Sequence, residues 1–389
     1  MQRRLIWWFF SVCSPALLAA PNPQLSATQI LDRLMPPAEQ AVELDLWQQG
    51  PAQLGVSHLS NRAGLNNGGD ETELSLSLAL NRPANQRYLQ QWQQDLNGRQ
   101  QQSRQVLRWQ LTAELSQHLA TLAEQALVLQ AEQEQLQQLQ AMVRQGAAAF
   151  AAGEQTRTDQ LQLQNALIAS QARLAVAEVQ QQQAVLAWQQ FSGQPDWPAR
   201  WPEAIAAAGP AADWTQHPVL QLQQLETSVA ERTFVRDSAG AQNPWQAGIV
   251  LRQTRGGAQM PDDTAVGLQF SVPIGSGAGS EQSAVAQSAM HTQQLKLAET
   301  LRQLRQHWFD AKARLQAAAV QQDAINRQLA QSNQIQQAAE AALKAGELRS
   351  SDWLRLFLPH ADLKKSAAVA AVRLQLAKTQ FDQAGGLAW

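Results

Sequence analysis

The chain has 389 residues, a net charge of −2 and a single cysteine. The near-neutral charge argues against a nucleic-acid-binding surface, and one cysteine excludes a framework of internal disulfides. Hydrophobic residues make up 44% of the chain and charged residues only 16%, a balance that suits long helices with weakly charged polar faces.

Residues 1–20 are predicted to be a secretory signal peptide. Arg3 and Arg4 form a basic start, residues 5–18 an apolar segment, and Ala19 and Ala20 a small-residue exit. At about 14 residues the apolar segment is too short for a confident membrane span. Cys13 lies inside it, so the mature chain would have no cysteine. The residues before Cys13 also loosely resemble a lipoprotein processing site, which leaves lipidation open.

A short helix is predicted at 26–34, and a second short helical piece at 38–49 after the break at Pro36 and Pro37. Strand candidates follow at 52–62 and 73–82. The second has a clear period of two, because leucines at every other position alternate with serine and alanine: Leu74, Leu76, Leu78, Leu80.

A helical hairpin is predicted at 84–192, with its tip at 146–159. Gly153 opens the turn because glycine readily adopts a positive φ, and Thr158 and Asp159 are expected to cap the outgoing helix. The return helix carries apolar and small residues at alternating spacings of four and three, which predicts a left-handed coiled coil. They are Leu163, Leu167, Ser170, Leu174, Ala177, Gln181, Ala184 and Trp188.

The second half of the chain repeats this order. A linker at 194–214, rich in proline, tryptophan and alanine, leads to a helix at 215–239. Strands are predicted at 245–254 and 264–273. A second hairpin follows at 276–384, with its tip at 345–352. There Gly346 is expected to open the turn, and Ser351 and Asp352 to cap the next helix. The matching seam of this return helix is predicted at Leu356, His360, Leu363, Ala367, Ala370, Leu374, Ala377 and Phe381.

The two halves are copies of one unit. Residues 153–161 return 193 positions later as residues 346–354, and Gly193 and Gly386 keep the same offset. The chain is therefore predicted to consist of a first repeat at 21–193 and a second at 215–389. The expected fold is mainly α with a small β part, built from a duplicated strand–strand–long helix–short helix unit.

The sequence contains no pattern typical of a catalytic or metal site. Its six histidines are scattered, with no pair four residues apart and no cysteine partner: His58, His118, His217, His291, His307, His360. We therefore predict a protein that is not an enzyme and has no cofactor or metal.

Duplicated units of this kind behind a signal peptide resemble the TolC family of outer-membrane efflux proteins, the outer membrane factors of tripartite pumps. The resemblance is most specific in the paired Gly-x5-Asp tips, in His217-Pro218 and in residues 267–274. It implies a homotrimer in the outer membrane of a Gram-negative bacterium. Each subunit would give four strands to a 12-stranded β-barrel in outer-membrane lipid, and its helices to an α-helical coiled-coil tunnel in the periplasm.

The resemblance also assigns roles to residues. Those facing lipid would be Leu76, Leu78, Leu80, Ile249, Leu251, Val266, Leu268 and Phe270, while Ser75, Ser77, Gly267, Gln269 and Ser271 would line the lumen. Those docking a periplasmic adaptor (membrane fusion protein) would be Gly153, Glu154, Thr156, Arg157, Asp159, Gly346, Glu347, Arg349, Ser350 and Asp352. Asp352 also matches an acidic ring of the tunnel gate. Arg355 stands where a second aspartate is expected, which makes it the other gate residue.

The implied function is an outer-membrane exit duct that works with an adaptor and an inner-membrane transporter to export small molecules or ions. The same duct could instead serve type I protein secretion. An alternative hypothesis, from a different class of protein, is a periplasmic adaptor or a structural coiled-coil protein. An adaptor, however, should have one helical hairpin within a lipoyl-like β domain and would not need two duplicated strand pairs. The sequence does not identify the exported substrate.

Overall fold

The computed structural model describes residues 21–22, 25–38, 40–60, 70–198, 214–238, 244–256, 261–272 and 280–387. The predicted signal peptide, with Cys13, lies outside the described residues, as does most of the predicted linker. None of the described helices contains an apolar stretch long enough to cross a membrane.

The described chain is mainly helical, with a small antiparallel sheet. The helices are α1 (Ala27–Leu34), α2 (Pro83–Ala151), α3 (Arg157–Ser192), α4 (Pro218–Ser238), α5 (Ser280–Lys344) and α6 (Ser350–Ala384). The strands are β1 (Pro21–Asn22), β2 (Gln53–Leu59), β3 (Asp70–Leu80), β4 (Trp197–Pro198), β5 (Trp245–Arg255) and β6 (Asp263–Ser271). A 3-10 turn, Trp214–Gln216, precedes α4.

Within the predicted helix at 38–49, the described residues are not helical, so that prediction is wrong. The Asp45 carboxylate instead accepts the backbone N–H groups of Trp47 and Gln48, at 2.9 and 3.0 Å. The backbone N–H of Gln49 then donates to the Ala79 carbonyl at 2.7 Å, and that of Asn81 to the Trp47 carbonyl at 2.8 Å. An aspartate that binds nearby backbone N–H groups favours a turn over a helix, and here it directs the chain alongside the end of β3.

The sheet unit comprises residues 37–106 and 215–303. Its four strands are antiparallel in the order β2-β3-β5-β6, so the pairing of β3 with β5 joins the hairpins of the two repeats. Gly248 makes this pairing possible, because a Cβ atom at this position would lie 2.8 Å from the Leu76 carbonyl oxygen.

The hairpin unit comprises residues 1–36, 107–214 and 304–389. One of its cores packs α1 against α2 and α3, with Trp188, Leu115 and Leu31 fully buried. A second core lies where α3 and α6 begin. Short strands β1 and β4 pair in parallel, which attaches the described N-terminus to the chain after α3. The seam predicted on α3 is buried at Leu163, Ser170, Ala177, Ala184 and Trp188.

Candidate functional site: the two hairpin tips and the sheet faces

The first hairpin tip, between α2 and α3, is a glycine turn followed by a capped helix. Gly153 has a φ of 78°, as its residue type predicts, and the Glu154 N–H donates to the Ala149 carbonyl at 2.9 Å. The helix cap is Thr156 and not Thr158. Its hydroxyl accepts the Asp159 N–H at 3.2 Å, while the Asp159 carboxylate accepts the Thr156 N–H at 3.4 Å. This reciprocal arrangement satisfies two N–H groups that the helix leaves free.

The second tip, between α5 and α6, has the same turn but a different helix start. Gly346 also has a φ of 78°, and the Glu347 N–H donates to the Ala342 carbonyl at 2.9 Å. The cap position is occupied by Arg349, which makes no side-chain cap hydrogen bond. The prediction that Ser351 and Asp352 cap this helix is therefore wrong. Arg349 occupies the position that corresponds to Thr156, and its side chain has no oxygen to accept an N–H.

Side chains connect the two tips to each other. Gln155 donates to the Ser350 hydroxyl, and the Asp159 carboxyl is hydrogen-bonded by the side chains of Thr156 and Ser351. These hydrogen bonds, Thr156 first, lower the pKa of the Asp159 carboxyl, so it is ionised at neutral pH. Neither Gln155 nor Ser351 was among the predicted site residues. The signal that could have identified them is their position within the two duplicated tip segments, residues 153–161 and 346–354.

An aromatic core lies beneath the tips. The rings of Trp353 and Phe357 are stacked with centroids 4.5 Å apart, and they pack with Leu139, Leu163 and other apolar residues of the second core. Leu356, the predicted first seam position of α6, is 39% exposed. At the start of α6 the buried face is therefore shifted by one residue, because the aromatic pair, four residues apart, buries more apolar area than Leu356 could. Further along α6 the predicted seam is buried at Ala367, Ala370 and Ala377.

Most of the predicted docking residues are exposed in the chain: Gly153, Glu154, Thr156, Arg157, Gly346, Glu347 and Arg349. Of the other three, Asp159 and Asp352 are half-buried, and Ser350 is only 4% exposed and is bonded to Gln155. Its side chain is therefore a contact between hairpins. Adaptor docking at the exposed residues remains a prediction.

The two predicted gate residues lie one turn apart at the start of α6. A nitrogen of the Arg355 guanidinium is 3.8 Å from an oxygen of the Asp352 carboxylate. Both side chains are substantially exposed, so this ion pair contributes little to stability. It does place a positive charge beside the carboxylate that the gate prediction depends on.

One face of the sheet is apolar and exposed. Antiparallel pairing aligns its side chains in rows across the strands, namely Val56–Leu74–Leu251–Val266, Leu54–Leu76–Ile249–Leu268, Leu78–Ala247–Phe270 and Leu80–Trp245. All of the predicted lipid-facing residues belong to these rows. They are exposed except Leu80, which is half-buried, and Leu268 is 89% exposed. A soluble sheet would bury such a face.

The opposite face of the sheet is polar. Glu73, Ser75 and Ser77 of β3 lie on it, and Glu73 pairs with Arg252 at 3.3 Å. The apolar face itself ends in a polar row near the β2–β3 connection, where the His58 ring is 2.9 Å from the Thr72 hydroxyl. His58 therefore lies at the edge of the apolar rows, beside a polar partner.

A buried charged cluster, which no local sequence pattern indicates, lies between α2, α3 and α6. Glu132 of α2 is 3% exposed, with its carboxylate 2.7 Å from the Lys365 ammonium and 3.4 Å from the Arg173 guanidinium. Desolvation lowers the pKa of Lys365, but the hydrogen bonds and charges of Glu132 and Asp362 outweigh it and raise the pKa overall. The cluster joins the two hairpins well away from their tips.

The fold is similar to those of several solved structures. A membrane protein from Pseudomonas aeruginosa matches with a TM-score of 0.67 and 14% identity, over 93% of this chain and 84% of that one. The outer membrane protein VceC from Vibrio cholerae gives 0.66 and 15%, over 86% and 85% of the two chains. The Neisseria gonorrhoeae MtrE outer membrane channel in its open state gives 0.59 and 14%, over 88% and 81%. The sequence matches no protein-family model and no curated protein.

Proposed function

Because this chain has the fold of TolC-like outer membrane channels, we propose that it is the outer-membrane exit duct of a tripartite efflux system. The observation that carries the proposal is the exposed apolar face of the sheet, backed by a polar face. Alternation of apolar and polar residues with the apolar side outward is the pattern of strands that span an outer membrane.

The duct would be a homotrimer. One chain supplies four paired strands with β2 and β6 at the edges of the sheet, and open strand edges are a liability in lipid as well as in water. Three copies that pair edge to edge would close a 12-stranded barrel. Their apolar rows would face outer-membrane lipid and their polar faces the lumen, with the helical part of each subunit in the periplasm.

The hairpin tips would be the periplasmic end, where an adaptor joins the duct to an inner-membrane transporter. The exposed glycine turns supply the docking surface. The hydrogen bonds from Gln155 to Ser350 and between Asp159 and Ser351 hold the two hairpins together there. We infer that docking opens the duct by separating these contacts, with energy supplied by the transporter.

Asp352 and Arg355 would set the charge of the opening. Because the two side chains pair within one subunit, a ring of three copies carries balanced charge and neither strongly attracts nor repels small ions. This differs from a ring of unpaired carboxylates, which would favour cations.

The experiment that tests the proposal is single-channel recording of the purified protein in a planar bilayer. Wild type should conduct with weak ion selectivity. Arg355→Ala should make the channel cation-selective, because it leaves the Asp352 carboxylates unpaired, and Asp352→Ala should shift selectivity toward anions. A folded protein that never inserts would contradict the duct. Channels whose ion selectivity is unchanged by both substitutions would still support the duct, but would show that its constriction lies elsewhere.

Localisation provides an independent check. The protein should fractionate with outer membranes as a trimer that dissociates on heating in detergent. Recovery as a soluble periplasmic protein would favour an adaptor or a structural coiled-coil protein instead.

A further inference from the structure

We propose that a polar cavity in the sheet unit binds the headgroup of a zwitterionic glycerophospholipid, a phosphodiester that carries an ammonium group. The inference rests on the proposed function, because it needs the apolar sheet face to lie in lipid. The cavity has a volume of about 570 Å³ and is formed by residues 43–50, the start of α2 and the end of α4. Its charged lining side chains are Glu43, Asp45, Arg232 and Arg236.

The cavity adjoins the helical end of the apolar face. Leu80 pairs with Trp245 in the last row of that face, and the next residue, Asn81, lines the cavity. Two aromatic side chains at this level are exposed, namely Trp47 at 68% and Tyr88 at 44%. Tryptophan and tyrosine concentrate where a membrane meets water. With the apolar rows in hydrocarbon, the cavity would lie at the level of the lipid headgroups.

Donors for a phosphate lie on the helical side of the cavity. The Arg236 guanidinium lies 5.0 Å from the centre of the Trp92 ring, and its Nε donates to Asp237 at 2.9 Å. Its two terminal nitrogens make no hydrogen bond to the described residues. The Trp92 indole N–H is buried and likewise has no partner among them. Arg232 is already held by Asp95 and Gln91, so Arg236 is the cation that can bind a phosphate.

Acceptors for an ammonium lie on the segment that faces these helices. Backbone N–H groups of Trp47 and Gln48 lower the pKa of the Asp45 carboxyl, which therefore stays ionised. Glu43 adds a second carboxylate, and the side-chain oxygen of Gln49 is buried with no partner in the described part of the chain. An ammonium group would satisfy these acceptors.

The balance of charge selects the kind of headgroup. Two guanidinium groups and two carboxylates line the cavity, and the guanidinium groups also pair with Asp95 and Asp237. A purely anionic headgroup would therefore meet an excess of carboxylates, and a purely cationic ligand would meet the arginines. A phosphoethanolamine headgroup carries both charges. The cavity volume lies within the range usual for small-molecule sites, and its position would let the acyl chains run along the apolar rows.

Lipid titration of the full-length protein in detergent, followed by native mass spectrometry, tests this site. Wild type should bind dioleoyl-phosphatidylethanolamine more tightly than the phosphatidylglycerol of the same acyl chains. Arg236→Gln should weaken both by about tenfold, the effect of losing a charge-assisted hydrogen bond. Glu43→Gln should weaken phosphatidylethanolamine selectively. Arg99→Gln, a change at an exposed arginine further along α2, should leave both affinities unchanged.

Equal lipid binding by wild type and Arg236→Gln would overturn the inference. Displacement of the lipid by an equal concentration of glycerophosphoethanolamine would also overturn it, because the site would then bind a soluble phosphodiester. Measuring the conductance of the same preparations distinguishes a wrong headgroup site from a wrong assignment of the protein as a duct. A conducting wild type without selective lipid binding would refute only the headgroup site, whereas lipid binding without conductance would refute the duct.

Discussion

The two tips show how a single residue changes equivalent turns. Thr156 and Arg349 occupy the same position in the two repeats, and both turns before them contain a glycine at a φ of 78°. Only the first has a side chain that can accept the N–H three residues on. Glycine was predictable because few residues adopt this φ. The cap was misplaced because Thr156 and Thr158 both carry a suitable hydroxyl, and only the pattern with Asp159 three residues on distinguishes them.

Replacement of the cap should loosen the start of α3. We expect Thr156→Ala to cost about 1 kcal/mol locally and to speed amide hydrogen exchange over residues 157–161 by about fivefold. Thr158→Ala is the matched control, since Thr158 makes no cap hydrogen bond, and should change exchange little. A larger effect from the Thr158 change would contradict the capping geometry.

His217 makes the start of α4 sensitive to acid. It is 1% exposed, its Nδ1 accepts the Val219 N–H at 3.2 Å, and burial lowers its pKa to about 4. Because the folded pKa is below the unfolded value of about 6.5, the unfolded chain binds the proton first. The stabilising contribution is therefore complete above about pH 6.5 and decreases as the pH falls toward 4.

We expect the melting temperature of wild type to fall between pH 7 and pH 5, in part through this residue. His217→Asn keeps a side-chain acceptor at the cap but cannot titrate in this range. Its melting temperature, measured by circular dichroism, should depend less on pH than that of wild type. Identical pH profiles for the two proteins would refute the role of His217.

At the scale of elements, the contribution of a charged contact between helices to stability depends on how deeply the contact is buried. Glu132 and Glu134 of α2 both lie 2.7 Å from a lysine of α6, but their exposed fractions are 3% and 41%. Glu132→Gln removes the buried carboxylate shared by Lys365 and Arg173 and leaves Lys365 only Asp362, at 3.3 Å, and we expect a loss of about 3 kcal/mol. Glu134→Gln breaks an exposed pair and should cost less than about 1 kcal/mol.

Urea denaturation of both variants, followed by helical circular dichroism, measures this difference. Equal unfolding midpoints for Glu132→Gln and Glu134→Gln would show that burial does not determine how much these contacts stabilise the protein. Replacement of Lys365 by Met together with Glu132→Gln tests the cause, because removing the cation that has lost its buried partner should recover part of the lost stability.

The positions of helices and strands could be predicted from the sequence more readily than the contacts between them. The spacings of four and three predicted long helices and the buried seam of α3, since periodicity is a local property of the chain. Glu132 and Lys365 lie 233 positions apart, and no local pattern indicates that they meet. Proline usually breaks or kinks a helix interior, but α6 runs continuously from Ser350 to Ala384 with Pro359 at its exposed face.

At the scale of the whole molecule, the two faces of the sheet should differ in how well they tolerate an added charged side chain. Leu268 and Gln269 are adjacent and exposed, but lie on the apolar and the polar face respectively. If the apolar face meets lipid, Leu268→Arg should oppose insertion by about 2–4 kcal/mol, whereas Gln269→Arg should be tolerated. Recovery of each variant in the outer-membrane fraction measures this, and equal recovery would contradict a lipid-facing role for Leu268.

The duplication predicted two hairpins of strands but not how they join. Alternating leucines show which face is apolar, yet the pairing of β3 with β5 depends on the close approach that Gly248 permits.

The open edges of the sheet have a consequence for biogenesis. A newly made copy presents unpaired N–H and C=O groups along β2 and β6, next to an apolar surface that water solvates poorly. If the proposed trimer forms, these edges stay open until the copies meet, so assembly competes with irreversible aggregation. Overproduction would favour aggregation, and a holdase that masks the edges until delivery to the membrane would favour assembly.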